Sequence, residues 1–239
     1  NNAKTIKGDG SEYMTAIMYL KPHKTMWKGK VRNICPMADK AGCVEGCLNT
    51  AGRGVMSNVQ AGRLRKTELL FEDRKHFINL LKTDITVFNR RTINRAIQPC
   101  VRLDGTSDNQ FERFGIMEQF PAVQFYDYTK IVKRAYKKLP SNYHLTLSYS
   151  EANPEYANEV KQAVDDTGVN MAVVFGVKSA DDFPATFRGL PVINGDKDDL
   201  RFLDPAHCVV GLIAKGKAKK DTSGFVVHPN EDGTWGRLA

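Results

Sequence analysis

The chain has 239 residues, 41% of them hydrophobic and 26% charged, with a net charge of +8. That length buries a sizeable core within one domain, and the composition excludes a disordered or fibrous chain. No run of about 18 apolar residues occurs, which excludes a membrane-spanning helix and a membrane partner of that kind. The opening Asn1-Asn2-Ala3-Lys4 lacks the charged-then-apolar layout of a secretion signal, so a cytoplasmic protein is expected (host cytoplasm if viral). Five cysteines, odd in number and unevenly spaced, argue against a disulfide framework.

The chain divides by pattern into an N-terminal extension (1–30), a cysteine loop (31–56), a train of β/α units (57–217) and a C-terminal tail (218–239), all within one domain. A first strand falls at Met14 to Leu20 or at Lys30 to Ile34. Residues 57–96 place Leu64, Phe71 and Ile78, then Phe77, Leu81, Ile85 and Phe88, at helical spacing, predicting one or two helices capped by Ser57 or Asn58. Apolar strands follow at 100–103, 123–126, 144–147, 171–175, 190–193 and 208–214, with helices expected over 131–139, stopped by Pro140, and over 155–167. Strands alternating with helices imply parallel pairing. The fold class is α/β, TIM-barrel-like, with six or seven parallel strands in a partial barrel; a doubly wound open sheet is the rival. No Gly-x-Gly-x-x-Gly or phosphate-loop sequence follows any strand, so the common dinucleotide and nucleoside-triphosphate readings lose support.

Chemistry concentrates first on Cys35, Cys43 and Cys47, spaced C-x7-C-x3-C on a glycine-containing loop. Three thiolates suit a [4Fe-4S] cluster with one iron left open. Zinc is the alternative, although it favours closely paired cysteines and a fourth ligand, and three unligated thiols are the third reading. Cys100 and Cys208 open apolar strands and read as small buried hydrophobes. A second constellation recurs where strands turn polar at their C-terminal ends, the rim on which α/β barrels build active sites. It comprises Arg102, Asp104, Ser107 and Asp108, then Asp127, then Ser148 and Glu151, then Asn194. Each is also a plausible helix cap or turn residue. Arg53, in Asn49-Thr50-Ala51-Gly52-Arg53-Gly54, would pair with a carboxylate or phosphate near the cluster loop. Basic residues at 63, 65, 66, 90, 91, 95, 133, 134, 137 and 138, with the tract Lys215 to Lys220, suit a nucleic acid or nucleotide partner, or a solvated surface.

A three-cysteine loop near the N-terminus, a helix and then β/α units resemble the radical S-adenosylmethionine superfamily. The resemblance covers residues 30 to 215 in architecture and rests in motif on Cys35, Cys43 and Cys47. It implies a partial barrel holding a [4Fe-4S] cluster, with S-adenosylmethionine at the open iron and one-electron cleavage to a radical. The spacing departs from the family's C-x3-C-x2-C, Gly46 stands where an aromatic residue is usual, and Asp104-Gly105-Thr106-Ser107-Asp108 is only a loose counterpart of the family's glycine-rich stretch. The run Cys47-Leu48-Asn49-Thr50-Ala51-Gly52-Arg53-Gly54 is also similar to bacteriophage proteins. The alternative function is a zinc- or cluster-stapled barrel that binds nucleic acid or nucleotides without redox catalysis.

Overall fold

A computed structural model describes residues 12–237. Contacts divide the chain into two compact units, one of residues up to 35, 53–127 and 138–144, the other of residues 36–52, 128–137 and 145 onward.

The first unit pairs β1 (Tyr13–Ile17) with β4 (Gln98–Arg102) and β4 with β5 (Gln124–Thr129, its last two residues belonging to the second unit), all parallel. Between β1 and β4 come a β-ribbon and two helices. The ribbon joins β2 (Lys24–Trp27) to β3 (Lys30–Asn33) antiparallel through Lys28 and Gly29, whose φ values of 45° and 73° give the doubly left-handed turn of a two-residue hairpin. Strand β3 therefore lies outside the parallel sheet.

Residues 57–96 form two helices, α1 (Ser57–Glu72) and α2 (Arg74–Ile93), separated by Asp73, which caps α2 by accepting the His76 N–H at 2.9 Å. Ser57 is already helical. The preceding Met56 offers no side-chain cap, and Asn58 instead accepts the Val59 N–H at 2.8 Å. Helix α2 buries Phe77, Ile78, Leu81 and Ile85 as one stripe, and Phe77 stacks on Phe111 at 6.4 Å. After the short α3 (Ile116–Gln119), Asn142 ties the chain back. Its side-chain Nδ2 lies 3.0 Å from the carbonyls of Met117, Phe120 and Val123, while its backbone carbonyl accepts the Phe125 N–H.

The second unit takes up β6 (Tyr143–Ser148) from Leu145 and runs in the order β6, β7 (Met171–Phe175), β10 (Val209–Ile213), β9 (Leu190–Asn194), β8 (Thr186–Phe187). All are parallel except the β8–β9 hairpin, and β11 (Val226–Val227) adds parallel to β7. Helix α4 (Pro154–Thr167) shows why 155–167 was legible. Asn153 accepts the Tyr156 N–H at 2.8 Å, Pro154 opens the helix, Gly168 closes it at φ 72°, and Tyr156, Ala157, Val160, Ala163 and Val164 form its buried stripe. That stripe packs into one core with Val173, Phe175 and Val209.

The fold is thus mixed α/β with a large, mostly parallel set of strands, and each of the seven sequence-predicted positions is a strand. Among the described residues neither unit's strand run closes on itself: β1 pairs only with β4, and β8 only with β9. The helix expected over 131–139 is a correction, because only Val132–Arg134 makes a helical turn, of the 3-10 type. Nine residues ending at Pro140, with like charges four apart at Lys133/Lys137 and Arg134/Lys138, cannot sustain more.

Candidate functional site: strand ends and the cysteine loop

In the first unit the C-terminal ends of β4 and β5 hold a buried polar cluster. Asp127, 1% exposed, accepts the Asp104 N–H at 2.8 Å, the Leu103 N–H at 3.4 Å and the Tyr143 hydroxyl at 3.2 Å. The Arg102 Nε lies 3.9 Å from it. Asp104, 2% exposed, takes the Ser107 hydroxyl at 2.5 Å and both the backbone and side-chain N–H of Asn109 at 3.1 Å, all on Oδ1. Its Oδ2 is buried with no hydrogen-bond partner among the described residues. Burial, outweighing those donors, pushes its carboxyl up to about 6.

Cys35 sits beside this cluster. Its Sγ accepts the His23 N–H at 3.4 Å and reaches the Thr106 carbonyl at 3.7 Å; Asp108 donates its N–H to the Ile34 carbonyl at 2.9 Å. Thr106 in turn donates its hydroxyl to the Leu20 carbonyl, just past β1, at 2.6 Å. Gly105 permits this closeness, since a Cβ there would stand 2.7 Å from Ile17 and from the Tyr19 ring. The start of the cysteine loop is therefore fastened to the C-terminal edge of β1 and β4.

In the second unit Cys43 is half-buried against Ala214, Ala218, Phe225 and Val226, which follow β10. Cys47 caps a 3-10 turn, Leu48–Thr50, accepting the Asn49 N–H at 3.5 Å. The Ser150 hydroxyl, past the end of β6, donates to the Ala41 carbonyl at 2.7 Å. A Cβ on Gly46 would stand 2.7 Å from the Phe225 ring, and one on Gly42 would stand 2.5 Å from Ala152. This part of the loop is thus a close-packed cover on the C-terminal ends of β6 and β10.

The other predicted positions divide. Ser148 accepts Lys130 Nζ at 2.6 Å. Glu151, 4% exposed, accepts the Tyr149 hydroxyl at 3.1 Å and the Arg237 N–H at 2.7 Å, so the C-terminal segment occupies its carboxylate. Asn194, the last residue of β9, is exposed, and its side chain accepts the Asp196 N–H at 2.9 Å. Arg53 is exposed in a 3-10 turn. Arg63 and Arg134, read from the sequence as surface charges, are buried, and Arg63 lies over the Tyr19 ring at 4.9 Å. Cys100 and Cys208 are buried, and desolvation pushes their thiols up to about 12 and about 11. Tyr143, Asn109 and Arg237 join the clusters without having been singled out from the sequence.

All five cysteines are free thiols. Among the described residues no three His, Cys, Asp or Glu side chains stand together as a ready metal site. The donor chemistry of Cys35, Cys43 and Cys47 suits a soft metal or cluster.

These features define a class: a mixed α/β protein, mostly parallel, in which each unit, taken by itself, sets cysteines and buried carboxylates at or just past the C-terminal ends of its strands. The chain belongs to the Gene product 88 family (GP88), a family of phage gene products, which it matches over residues 1–229. No curated protein and no solved structure matches it. No described helix is long and apolar enough to cross a membrane.

Proposed function

We propose that the protein binds a [4Fe-4S] cluster through Cys35, Cys43 and Cys47 and uses it in one-electron chemistry on S-adenosylmethionine or a related small molecule. One observation carries the reading. In each compact unit, taken by itself, the cysteines lie at the C-terminal edge of the parallel strands, the edge on which such proteins assemble their sites. Buried Asp104 and Asp127 give the first unit polar groups beside Cys35, and three thiolates leave a cluster one open iron. Strand order that follows chain order, β1 then β4 then β5, supports a partial barrel wall. A zinc-stapled protein that binds nucleic acid or nucleotides is the second reading, favoured by the surplus of basic residues.

Anaerobic purification with iron and sulfide quantitation tests the first reading, followed by EPR of the dithionite-reduced protein with and without S-adenosylmethionine. Near four irons and four sulfides per chain, with a signal that changes on adding S-adenosylmethionine, is the expected result. A colourless protein holding zinc, or no metal, overturns the cluster. A cluster signal indifferent to S-adenosylmethionine keeps the cluster and overturns its substrate.

A further inference from the structure

Charge is distributed unequally between the two units. The described residues of the first carry 18 Lys and Arg against 10 Asp and Glu, a net +8, whereas the second carries 15 against 16, a net −1. Within the first unit the β2–β3 ribbon, Lys24 to Asn33, holds four basic residues and no acid. Every residue of β3 is exposed. Across the two strands Met26 faces Val31, and these apolar side chains are 66% and 59% exposed. Alternation puts Lys24 and Asn33, the next cross-strand pair on that face, beside them. Lys28 marks the tip, over the Trp27 ring at 4.9 Å and 3.3 Å from Glu72, while Lys30 and Arg32 line the outer strand.

A structural account of this ribbon fails on ordinary grounds. It contributes little to the core, since Thr25 alone is fully buried, and it leaves a paired methionine and valine in water. A two-stranded antiparallel ribbon is, however, of a width that enters the major groove of B-form DNA. Its exposed face carries, in Met26 and Val31, apolar groups of the kind that meet the thymine methyl there. Lys30 and Arg32 stand on the opposite face of the exposed outer strand, from which their long side chains can reach round its edge to the phosphates that flank the groove, with Lys28 at the tip. The deep, narrow major groove of A-form RNA would not admit it.

We propose that the Lys24–Asn33 ribbon is a DNA-binding element that enters the major groove of a B-form duplex, with Met26 and Val31 against the bases and Lys30 and Arg32 on the backbone. The proposal requires no metal and stands apart from the cluster reading. If all four basic residues reach phosphates, counterion release gives a log–log salt slope of about −3.6, an affinity loss of about 150-fold between 50 and 200 mM salt.

The experiment is fluorescence-anisotropy titration of the full chain with a labelled 20-base-pair DNA duplex of mixed sequence, from 50 to 200 mM salt. An RNA duplex and a single strand of the same length serve as comparisons. The Lys30→Ala/Arg32→Ala variant should flatten the slope to about −1.8, reducing the loss over that range to about 12-fold. Met26→Ala/Val31→Ala should weaken binding about tenfold and leave the slope unchanged, which a purely electrostatic surface would not do. Circular dichroism checks folding, and single Lys30→Gln and Arg32→Gln replacements stand in for a double variant that fails it. No binding at 50 mM salt, an unchanged slope in the Lys30/Arg32 variants, or equal affinity for the RNA duplex or the single strand each overturns the proposal.

Discussion

At the scale of single residues, the five cysteines separate into two kinds. Cys100 and Cys208 are buried with raised thiols, whereas Cys35, Cys43 and Cys47 are half-buried. Metal-free protein treated with Ellman's reagent at pH 8 should release about three equivalents quickly, and the remaining two only after unfolding. Five fast equivalents would contradict the burial. Asp104 makes a second prediction. Its carboxyl is raised in the folded protein, so the folded state holds its proton more tightly than the unfolded chain does. The stability it contributes is present below about pH 4 and is lost as pH rises through about 6, a change on the order of 3 kcal/mol. Urea unfolding at pH 4 and pH 7.5 should show this fall in the parent and lose it in Asp104→Asn. Asp104 was legible because a strand turning polar is a local signal. Tyr143, sixteen residues from the Asp127 it touches, carries no such signal, since only the fold brings the two together.

Among the elements, the cysteine loop is held by shape as much as by bonding. Gly46 lies under the Phe225 ring, with no room for a Cβ. A Gly46→Ala replacement should therefore destabilise the protein by about 1–3 kcal/mol, read by thermal melting. Unaltered melting would mean that the ring yields easily. Helix α4 was legible over 155–167 because an amphipathic period is a local signal, and Asn153, Pro154 and Gly168 bound it in the structure. The ribbon was less legible. Lys28-Gly29 is a weaker hairpin signal than Asn-Gly, and β3 alternates no apolar face, so the sequence suggested only a doubtful strand there.

For the whole molecule, local stability should follow burial. Hydrogen exchange should find β7 and α4, whose core residues are nearly all fully buried, protected longest. The β2–β3 ribbon should exchange among the first elements, and slow exchange there would indicate a partner or a cover over its exposed strand. The sequence did not choose between Met14 to Leu20 and Lys30 to Ile34 for the first strand, whereas the six strand positions from residue 100 onward were readable as apolar runs, several of them ending in polar residues. Their order was not: β10 lies between β7 and β9, and β11 adds to β7. Such choices depend on crossovers and long-range packing, which composition along the chain does not encode.

The three carbonyls gathered by Asn142 hold the turn from Met117 to Val123 through a single side-chain amide. Deamidation to aspartate would replace that donor with an acceptor facing three others, so chemical ageing at one atom would unlatch the segment. An old preparation would then be nicked by protease near Phe120 and Pro121 while the rest of the chain still resisted digestion.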